Sequence, residues 1–209
     1  MNSNVQTTIR VLGKVLAPIA LAVALAPCFS TQALADAPAS VTGKVTAATA
    51  KYLPETVVYL RSVPGTYTAS TVVIDQKAMA FIPHVAAITV GDTVNYANHD
   101  SVSHNVFSPD NEGFNLGTFA PNESRPYTFR KPNVAYSELC SMHPEMLGYV
   151  FVGQNPYHAV VDAGGNFTIK NVPAGTYAVA VWNPKLKAAD QNVTVTAGAA
   201  AAVNFSIAR

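Results

Sequence analysis

Cysteine is nearly absent from this sequence, which has only Cys28 and Cys140 among its 209 residues. So few cysteines exclude a scaffold held together by several disulfides. Charged residues make up 12% of the chain and the formal net charge is +1, so no basic surface is available to attract nucleic acid. The sequence also lacks a Ser-His-Asp order, paired catalytic carboxylates and a glycine-rich phosphate loop. These absences leave little support for an enzyme.

The first 35 residues have the features of an export signal. Arg10 and Lys14 precede an apolar stretch at 15–29, and "ALA" at 33–35 has the small-x-small pattern that signal peptidases cut. We therefore predict a signal peptide over residues 1–35, cut near Ala35. The mature protein would be periplasmic or secreted and would have no membrane span.

Two alternatives remain for this segment. "LAPC" resembles a lipobox ending at Cys28, although Pro27 stands where a small flexible residue is favoured. Residues 15–35 are also uncharged and about long enough to remain as an anchor. Either way, the rest of the chain lies outside the cytoplasm. Cleavage near Ala35 would leave Cys140 alone in a compartment where cysteines usually pair.

The remaining sequence predicts an all-β protein. Short runs rich in Val, Thr, Tyr and Phe alternate with Gly and Pro turns, and no stretch has sustained helical periodicity. Between 72 and 152 such runs recur at a spacing typical of a β-sandwich with Greek-key connections. After 153, Ala163-Gly164-Gly165 indicates a hairpin that is followed by a long alternating strand.

One short stretch combines three metal-binding side chains. "CSMHPEM", residues 140–146, brings a thiol, an imidazole and a thioether together at Cys140, His143 and Met146. A thiolate with two imidazoles and a distant Met is the set that copper favours. A second histidine must therefore come from elsewhere, and the stretch 91–107 runs through an alternating strand and a loop to His104.

These two stretches, "GDTVNYANHDSVSHNVF" and "CSMHPEMLGYVFV", resemble the cupredoxins of the amicyanin and plastocyanin type. The Cys-x₂-His-x₂-Met spacing is similar to the short ligand loop of amicyanin. The resemblance implies a Greek-key cupredoxin β-sandwich that binds one copper ion, Cu(I) or Cu(II). It further implies that the metal ligands are His104, Cys140, His143 and Met146.

The same resemblance implies how neighbouring groups support these ligands. The Asn105 side chain would tie the His104 strand to the ligand loop near Ser141, and backbone amides would donate to the Cys140 sulfur. One position departs from the family pattern, because Glu138 stands two residues before the cysteine, where many members have an aromatic residue. The sequence therefore does not determine which side chains pack behind the Cys140 thiolate.

A second module is suggested by the two ends of the mature chain. "VTGKV" and "LPETVVYL", taken with "VDAGGNFTIKNVPAGTYAVAV", resemble a smaller carboxypeptidase-regulatory-like β-sandwich. With "DQKAMAFIPHV", they resemble exported methylamine-utilisation-like proteins that pair such a module with a cupredoxin. We predict a cupredoxin domain at 71–153, inserted into a sandwich made of 38–70 and 154–209. Alternatively, residues 38–70 form the first strands of the middle domain.

The other polar candidates have ordinary interpretations. His84 in "FIPHV" is either a strand-end histidine or a residue beside the copper. His99 is expected on a solvated loop and His158 near the junction of the modules. Asp100 is interpreted as a turn residue, and Met142 as a residue that packs or faces solvent.

The sequence therefore predicts an exported type 1 (blue) copper protein that carries single electrons between redox partner proteins. The alternative is a periplasmic protein that binds and delivers copper without an electron-transfer role, and a third possibility is an adhesion or scaffolding module. Five histidines are too few for the extra copper centres of an oxidase or reductase, so we expect no enzyme. We also expect no nucleic-acid partner, and a monomer.

Overall fold

The strands of this chain follow the short apolar runs of its sequence. The computed structural model describes residues 37–209, so the predicted signal peptide and Cys28 lie outside the described residues. The strands are β1 (Ala39–Ala47), β2 (Val57–Leu60), β3 (Thr71–Lys77), β4 (Ala80–Ile82), β5 (Val85–Thr89), β6 (Thr93–Asn98), β7 (His104–Ser108), β8 (Phe114–Phe119), β9 (Ser124–Thr128), β10 (Val134–Leu139), β11 (Leu147–Gly153), β12 (His158–Val160), β13 (Asn166–Val172), β14 (Gly175–Trp182), β15 (Gln191–Val195), β16 (Ala200–Ala202) and β17 (Phe205–Ile207). A 3₁₀ turn, Ala50–Tyr52, is the one helical element among the described residues. The predicted all-β class is confirmed.

These strands form four sheets. The outer terminal sheet has the order β13-β1-β16, with β17 also pairing with β1, and the inner terminal sheet has the order β12-β2-β14-β15. The inner central sheet has the order β5-β11-β10-β7-β8, and the outer central sheet β4-β3-β6-β9. Strands from the two ends of the described chain thus pair with one another, and strands of 71–153 pair among themselves. An insertion would produce this pairing, and the division at 71–153 stays a prediction.

Three hydrophobic clusters show that the four sheets are stacked. The terminal core lies between the two terminal sheets and includes Val41 of β1 and Val58 of β2. The central core lies between the two central sheets and includes Tyr96 of β6 and Val150 of β11. A third cluster joins the two inner sheets. Its buried members are Val57, Tyr59, Val85, Phe151 and Ala180.

The stacking explains two strands that are apolar on both faces. All four residues of β2, "VVYL", are buried, with Val58 and Leu60 in the terminal core and Val57 and Tyr59 in the third cluster. β11 is similar, because its alternate residues face the central core and the third cluster. A strand covered on both faces has a nearly continuous apolar run. In contrast, β13 has one exposed face: Phe167, Ile169 and Val172 are buried, and its other residues are exposed.

Within residues 37–209, no helix is long and apolar enough to cross a membrane.

Candidate metal centre

Two neighbouring strands of the inner central sheet bring the predicted ligands together. His104 is the first residue of β7, and Cys140 directly follows β10, which pairs with β7 through Leu139 and Phe107. Alternation along β10 buries Tyr136, Glu138 and Cys140 on the side of the central core. The strand therefore delivers the thiol to the interior beside the start of β7.

The ligand loop then folds back through a tight turn. The backbone amide of Met146 donates to the carbonyl of His143 at 3.0 Å, which closes a four-residue turn with Pro144 at its second position. Proline favours this position because its fixed φ suits the turn. The turn returns His143 towards Cys140 and buries Met146, which is 1% exposed, in the central core with Cys140.

Three of the four predicted ligands offer atoms to one point. The Nδ1 atoms of His104 and His143 are 3.0 Å apart, and the Cys140 sulfur lies 3.9 Å from the first and 3.8 Å from the second. His104 and Cys140 are buried and His143 is partly exposed. The structure places Met146 in the same hydrophobic core as Cys140, and its role as axial ligand stays a prediction.

The triangle suits a single ion. Metal–nitrogen bonds of about 2.0 Å and a metal–sulfur bond of about 2.3 Å, the values for zinc, separate nitrogen from sulfur by about 3.8 Å in a trigonal plane. Both nitrogen–sulfur edges match that value. The nitrogen–nitrogen edge is shorter and has the length of a hydrogen bond between the rings, so metal binding requires the two rings to separate slightly. A thiolate with two imidazoles in a trigonal set is the donor chemistry of blue-copper sites.

The sulfur and the ligand loop are held by Asn105. Its backbone amide donates to the Cys140 sulfur at 3.4 Å, and its side-chain oxygen accepts from the amide of Ser141 at 3.2 Å. Its side-chain nitrogen donates to Asn115 at 2.9 Å. The implied tie between the Asn105 side chain and the loop at Ser141 is therefore present, and so is a backbone amide donor at the sulfur. These hydrogen bonds orient the Cys140 sulfur and the ligand loop relative to β7.

Asp100 contacts the predicted ligand His104, which the sequence did not reveal. One of its oxygens, Oδ2, lies 2.9 Å from Nε2 of His104, and it also accepts from the amide of Met79 at 2.9 Å. The other, Oδ1, accepts from the amide of Ala78 at 3.0 Å. The pKa of Asp100 is lowered, chiefly by the Met79 bond and next by the His104 contact.

This contact fixes which His104 nitrogen can bind a metal. A carboxylate that accepts from Nε2–H keeps the proton on that nitrogen and leaves the lone pair on Nδ1, which faces Cys140 and His143. Asp100 also holds the turn between β3 and β4, where Ala78 and Met79 have φ of 53° and 60°. Such left-handed conformations are costly for residues other than glycine. The sequence signal was an acid four residues before His104, which turn chemistry explained equally well.

Glu138 is buried behind the cysteine, where the sequence had left the packing open. Its side chain is fully buried, and one oxygen accepts from the Tyr96 hydroxyl at 2.9 Å. Among the described residues its other oxygen has no partner. Burial raises the pKa of Glu138 to about 8, although the Tyr96 bond partly offsets this effect.

The remaining histidines of the described chain lie outside the cluster. The His84 ring packs edge-on against Tyr149, and its Nε2 lies 3.8 Å from a carboxylate oxygen of Glu55. His99 is exposed and contacts Asp75 at 2.9 Å. His158 is largely buried on β12, and burial lowers its pKa to about 4.

Comparison with known proteins gives partial likenesses. A family model described as polysaccharide lyase family 4, domain II, matches residues 147–203. That match covers much of the segment expected to be carboxypeptidase-regulatory-like and names a different family, so the expected assignment of this module is not supported. No curated protein matches the chain.

Solved structures similar to this chain include two mutants of amicyanin and a purple cupredoxin from Nitrosopumilus maritimus. A reduced tryptophan-to-tyrosine mutant of amicyanin is 27% identical over 39% of this chain and 81% of its own, with a TM-score of 0.37. A Cu(I) form of a methionine-to-alanine mutant of amicyanin is 24% identical over 41% and 85%, with a TM-score of 0.38. The purple cupredoxin is 29% identical over 41% and 100%, with a TM-score of 0.36.

Proposed function

We propose that this chain is a mononuclear copper protein that carries one electron at a time between redox partners. The observation that supports this most is the convergence of two imidazole nitrogens and a cysteine sulfur, all within 4.8 Å of one another. His104, Cys140 and His143 would hold the ion in a trigonal set, and Met146 would be the distant fourth ligand.

The surrounding residues suit a site that must not change shape. Copper, when bound, supplies one-electron chemistry by alternating between Cu(I) and Cu(II). The turn through Pro144 restricts the ligand loop, Asn105 ties that loop to β7, and Asp100 fixes the His104 ring. Ligands held by packing and hydrogen bonds reorganise little, and fast electron transfer requires little reorganisation.

Electrons would enter and leave the metal site through the side on which His143 lies. His104 and Cys140 are buried, whereas His143 is partly exposed at the surface. Exposed apolar side chains flank the ligands in the sequence, namely Val102, Met142 and Leu147, which are 43%, 46% and 36% exposed. Apolar surface around a redox site suits transient docking of a partner protein. We propose that this protein acts outside the cytoplasm and is not an enzyme.

An absorption spectrum tests the proposal. Copper-loaded protein should show an intense visible band from thiolate-to-Cu(II) charge transfer, and Cys140→Ala should abolish it. Met142→Leu, in the same loop, is the matched control and should keep the band. Met146→Leu should keep a coloured site with a raised reduction potential. A colourless copper-loaded protein, or a band that survives loss of Cys140, would refute the assignment.

Copper delivery is the second candidate, and the exposure of Met142 favours it. A thioether at the surface of the ligand loop is a soft ligand that suits Cu(I). A delivery protein should yield Cu(I) to a competing chelator rapidly, and Met142→Leu should slow that transfer. A carrier should instead cycle reversibly in voltammetry and keep its metal in the presence of the same chelator.

A further inference from the structure

A cavity of about 310 Å³ has none of the predicted metal ligands in its lining. It opens where the loop after β7 meets the middle of β10, the start of β11 and the end of β14. Its lining includes Asp110, Asn111, Ser137, Tyr149, Trp182 and Pro184. This volume is at the lower end of the range for small-molecule sites. The cavity could therefore hold one small organic molecule.

Two aromatic rings form one part of the lining. The rings of Tyr149 and Trp182 are 5.6 Å apart between centroids and inclined at 65°. Trp182 also packs against Phe151, with centroids 6.0 Å apart, and Phe151 is fully buried between the inner sheets. This packing holds the Trp182 ring in place, so the two rings present a fixed aromatic corner.

A carboxylate and an amide form another part of the lining. The Oδ2 atom of Asp110 accepts from the amide of Ser137 at 2.6 Å, and the Asn111 side-chain nitrogen donates to the carbonyl of Ala135 at 2.9 Å. Each contact fixes the side chain through one atom. The Oδ1 atom of Asp110 and the side-chain oxygen of Asn111 accept no hydrogen bond from the described residues, so both can face a ligand.

The charge of the lining is therefore negative. No lysine, arginine or histidine lines the cavity, so the Asp110 carboxylate has no cation beside it there. The influence of Asp110 reaches the aromatic corner, because the pKa of Tyr149 is raised mainly by burial and then by Glu55 and Asp110. An anionic ligand would be repelled from such a cavity.

Aromatic faces next to a carboxylate are the groups that recognise organic cations. A cation within about 6 Å of an aromatic ring centroid is attracted by the ring's negative face. Alkylated ammonium groups suit such sites because their methyl groups pack on the rings while their charge is balanced by the acid. We propose that this cavity binds a small organic cation bearing an alkylated ammonium group. The proposal does not depend on the copper-carrier function.

The chain provides its own reporter for this site, since Trp182 is its only tryptophan. Choline should cause a saturable change in tryptophan emission at constant metal content. Its neutral isostere, 3,3-dimethylbutan-1-ol, has the same shape without the charge and should bind at least tenfold more weakly. Isothermal titration calorimetry with the same two ligands gives a second readout that does not rely on emission.

Two variants and a control locate the binding. Asp110→Asn keeps an oxygen for the Ser137 amide but removes the charge, so choline affinity should fall about tenfold or more. Tyr149→Leu should weaken binding by removing one ring. Asp162→Asn changes an exposed acid in the β12–β13 turn and should bind choline like the parent protein.

Three outcomes would overturn the proposal. One is equal affinity for choline and its neutral isostere, which would show a merely apolar cavity. Another is binding of a neutral oligosaccharide in place of choline, with emission changing only for the sugar. The third is the absence of both heat and emission change with millimolar choline.

Discussion

The terminal and central cores bury polar groups to very different extents. The terminal core is built from apolar side chains, and the buried polar residues near it are few: Thr56, Asn155 and Asn183. Each of these three side chains has hydrogen-bond partners, such as the Asn183 amide, which donates to Thr56 at 3.0 Å. Among the described residues, the buried side-chain atoms of this part that lack a partner are Oε2 of Glu55 and Nε2 of His158, both outside the terminal core itself.

The central core buries many more polar groups and leaves some without partners. Its region buries Gln76, Thr89, Asp92, Asn98, His104, Asn105, Ser108 and Glu138. Among the described residues, the side-chain oxygen and nitrogen of Gln76 both lack a hydrogen-bond partner. Glu138 has a partner for only one of its two carboxyl oxygens. Proteins break packing rules mainly at functional sites. The central core thus keeps more polar groups, and more of them without partners, beside the predicted metal ligands, and this arrangement costs some stability.

The largest effect is expected in the terminal core. Phe167→Ala removes a ring that is only 4% exposed, so it should destabilise the protein by about 3–5 kcal/mol. Chemical denaturation measures this loss, and Thr168→Ala, at the next, exposed position of β13, is the control and should be nearly neutral. Under native conditions the copper spectrum of Phe167→Ala should be unchanged. A changed spectrum would show that the two cores are not independent.

Acid should weaken the fold through His158. Burial lowers the pKa of His158 from 6.5 to about 4, although Asp92 partly opposes the effect. Between those values the unfolded chain binds a proton that the folded chain does not, so the contribution of His158 to stability falls as the pH drops from about 6.5 to about 4. Glu138, whose pKa is raised to about 8, contributes in the opposite sense. At about 1.4 kcal/mol per pKa unit, the loss is roughly 3 kcal/mol.

Denaturation midpoints across this pH range measure the effect. His158→Gln should gain stability relative to the parent protein as the pH drops, because glutamine does not titrate. His99→Gln changes an exposed histidine and should keep the parent slope. An unchanged slope in His158→Gln would mean that His158 is protonated as readily in the folded chain as in the unfolded one.

A smaller loss of stability is expected at Glu138, one of whose carboxyl oxygens already lacks a hydrogen-bond partner among the described residues. Tyr96→Phe removes the hydroxyl that donates to Glu138 and leaves both carboxyl oxygens without a partner. Such a loss destabilises by about 1–3 kcal/mol. Denaturation at pH 7 measures it, with Tyr127→Phe, whose ring stacks on Phe114, as the reference. Equal stability of the two variants would indicate that Glu138 finds another partner, such as water.

Much of the fold was predictable because apolar periodicity is local. The apolar runs that became β2 and β11 are visible in the sequence, and so is the long alternating run that became β14. The stacking of four sheets was not predictable, because it depends on which strands pair across long separations. The family expected for the C-terminal segment is not supported, since a shared strand pattern does not distinguish one β-sandwich family from another.

The candidate metal site could likewise be predicted only where its pattern is local in the sequence. The spacing of Cys140, His143 and Met146 is local and pointed to a metal, and resemblance supplied His104. The roles of Asp100 and Glu138 could not be predicted, because each depends on a contact with a distant strand: Asp100 with the turn after β3, and Glu138 with Tyr96 on β6. An acid in a sequence does not reveal whether it caps a turn or orients a ligand.

The smallest expected effect concerns Gln76, and its sign is informative. Gln76 is fully buried and neither of its amide atoms has a partner among residues 37–209. Replacing a buried polar group that lacks partners with an apolar one of similar shape is close to neutral or stabilising. Gln76→Met should therefore raise the stability by about 1 kcal/mol or less.

Ile74→Val, on the same strand and in the same core, is the comparison and should lose about 0.5–1.5 kcal/mol. If Gln76→Met is instead the more damaging change, the amide has a bound partner such as an internal water, and the central core satisfies its polar groups more fully than its side chains alone indicate.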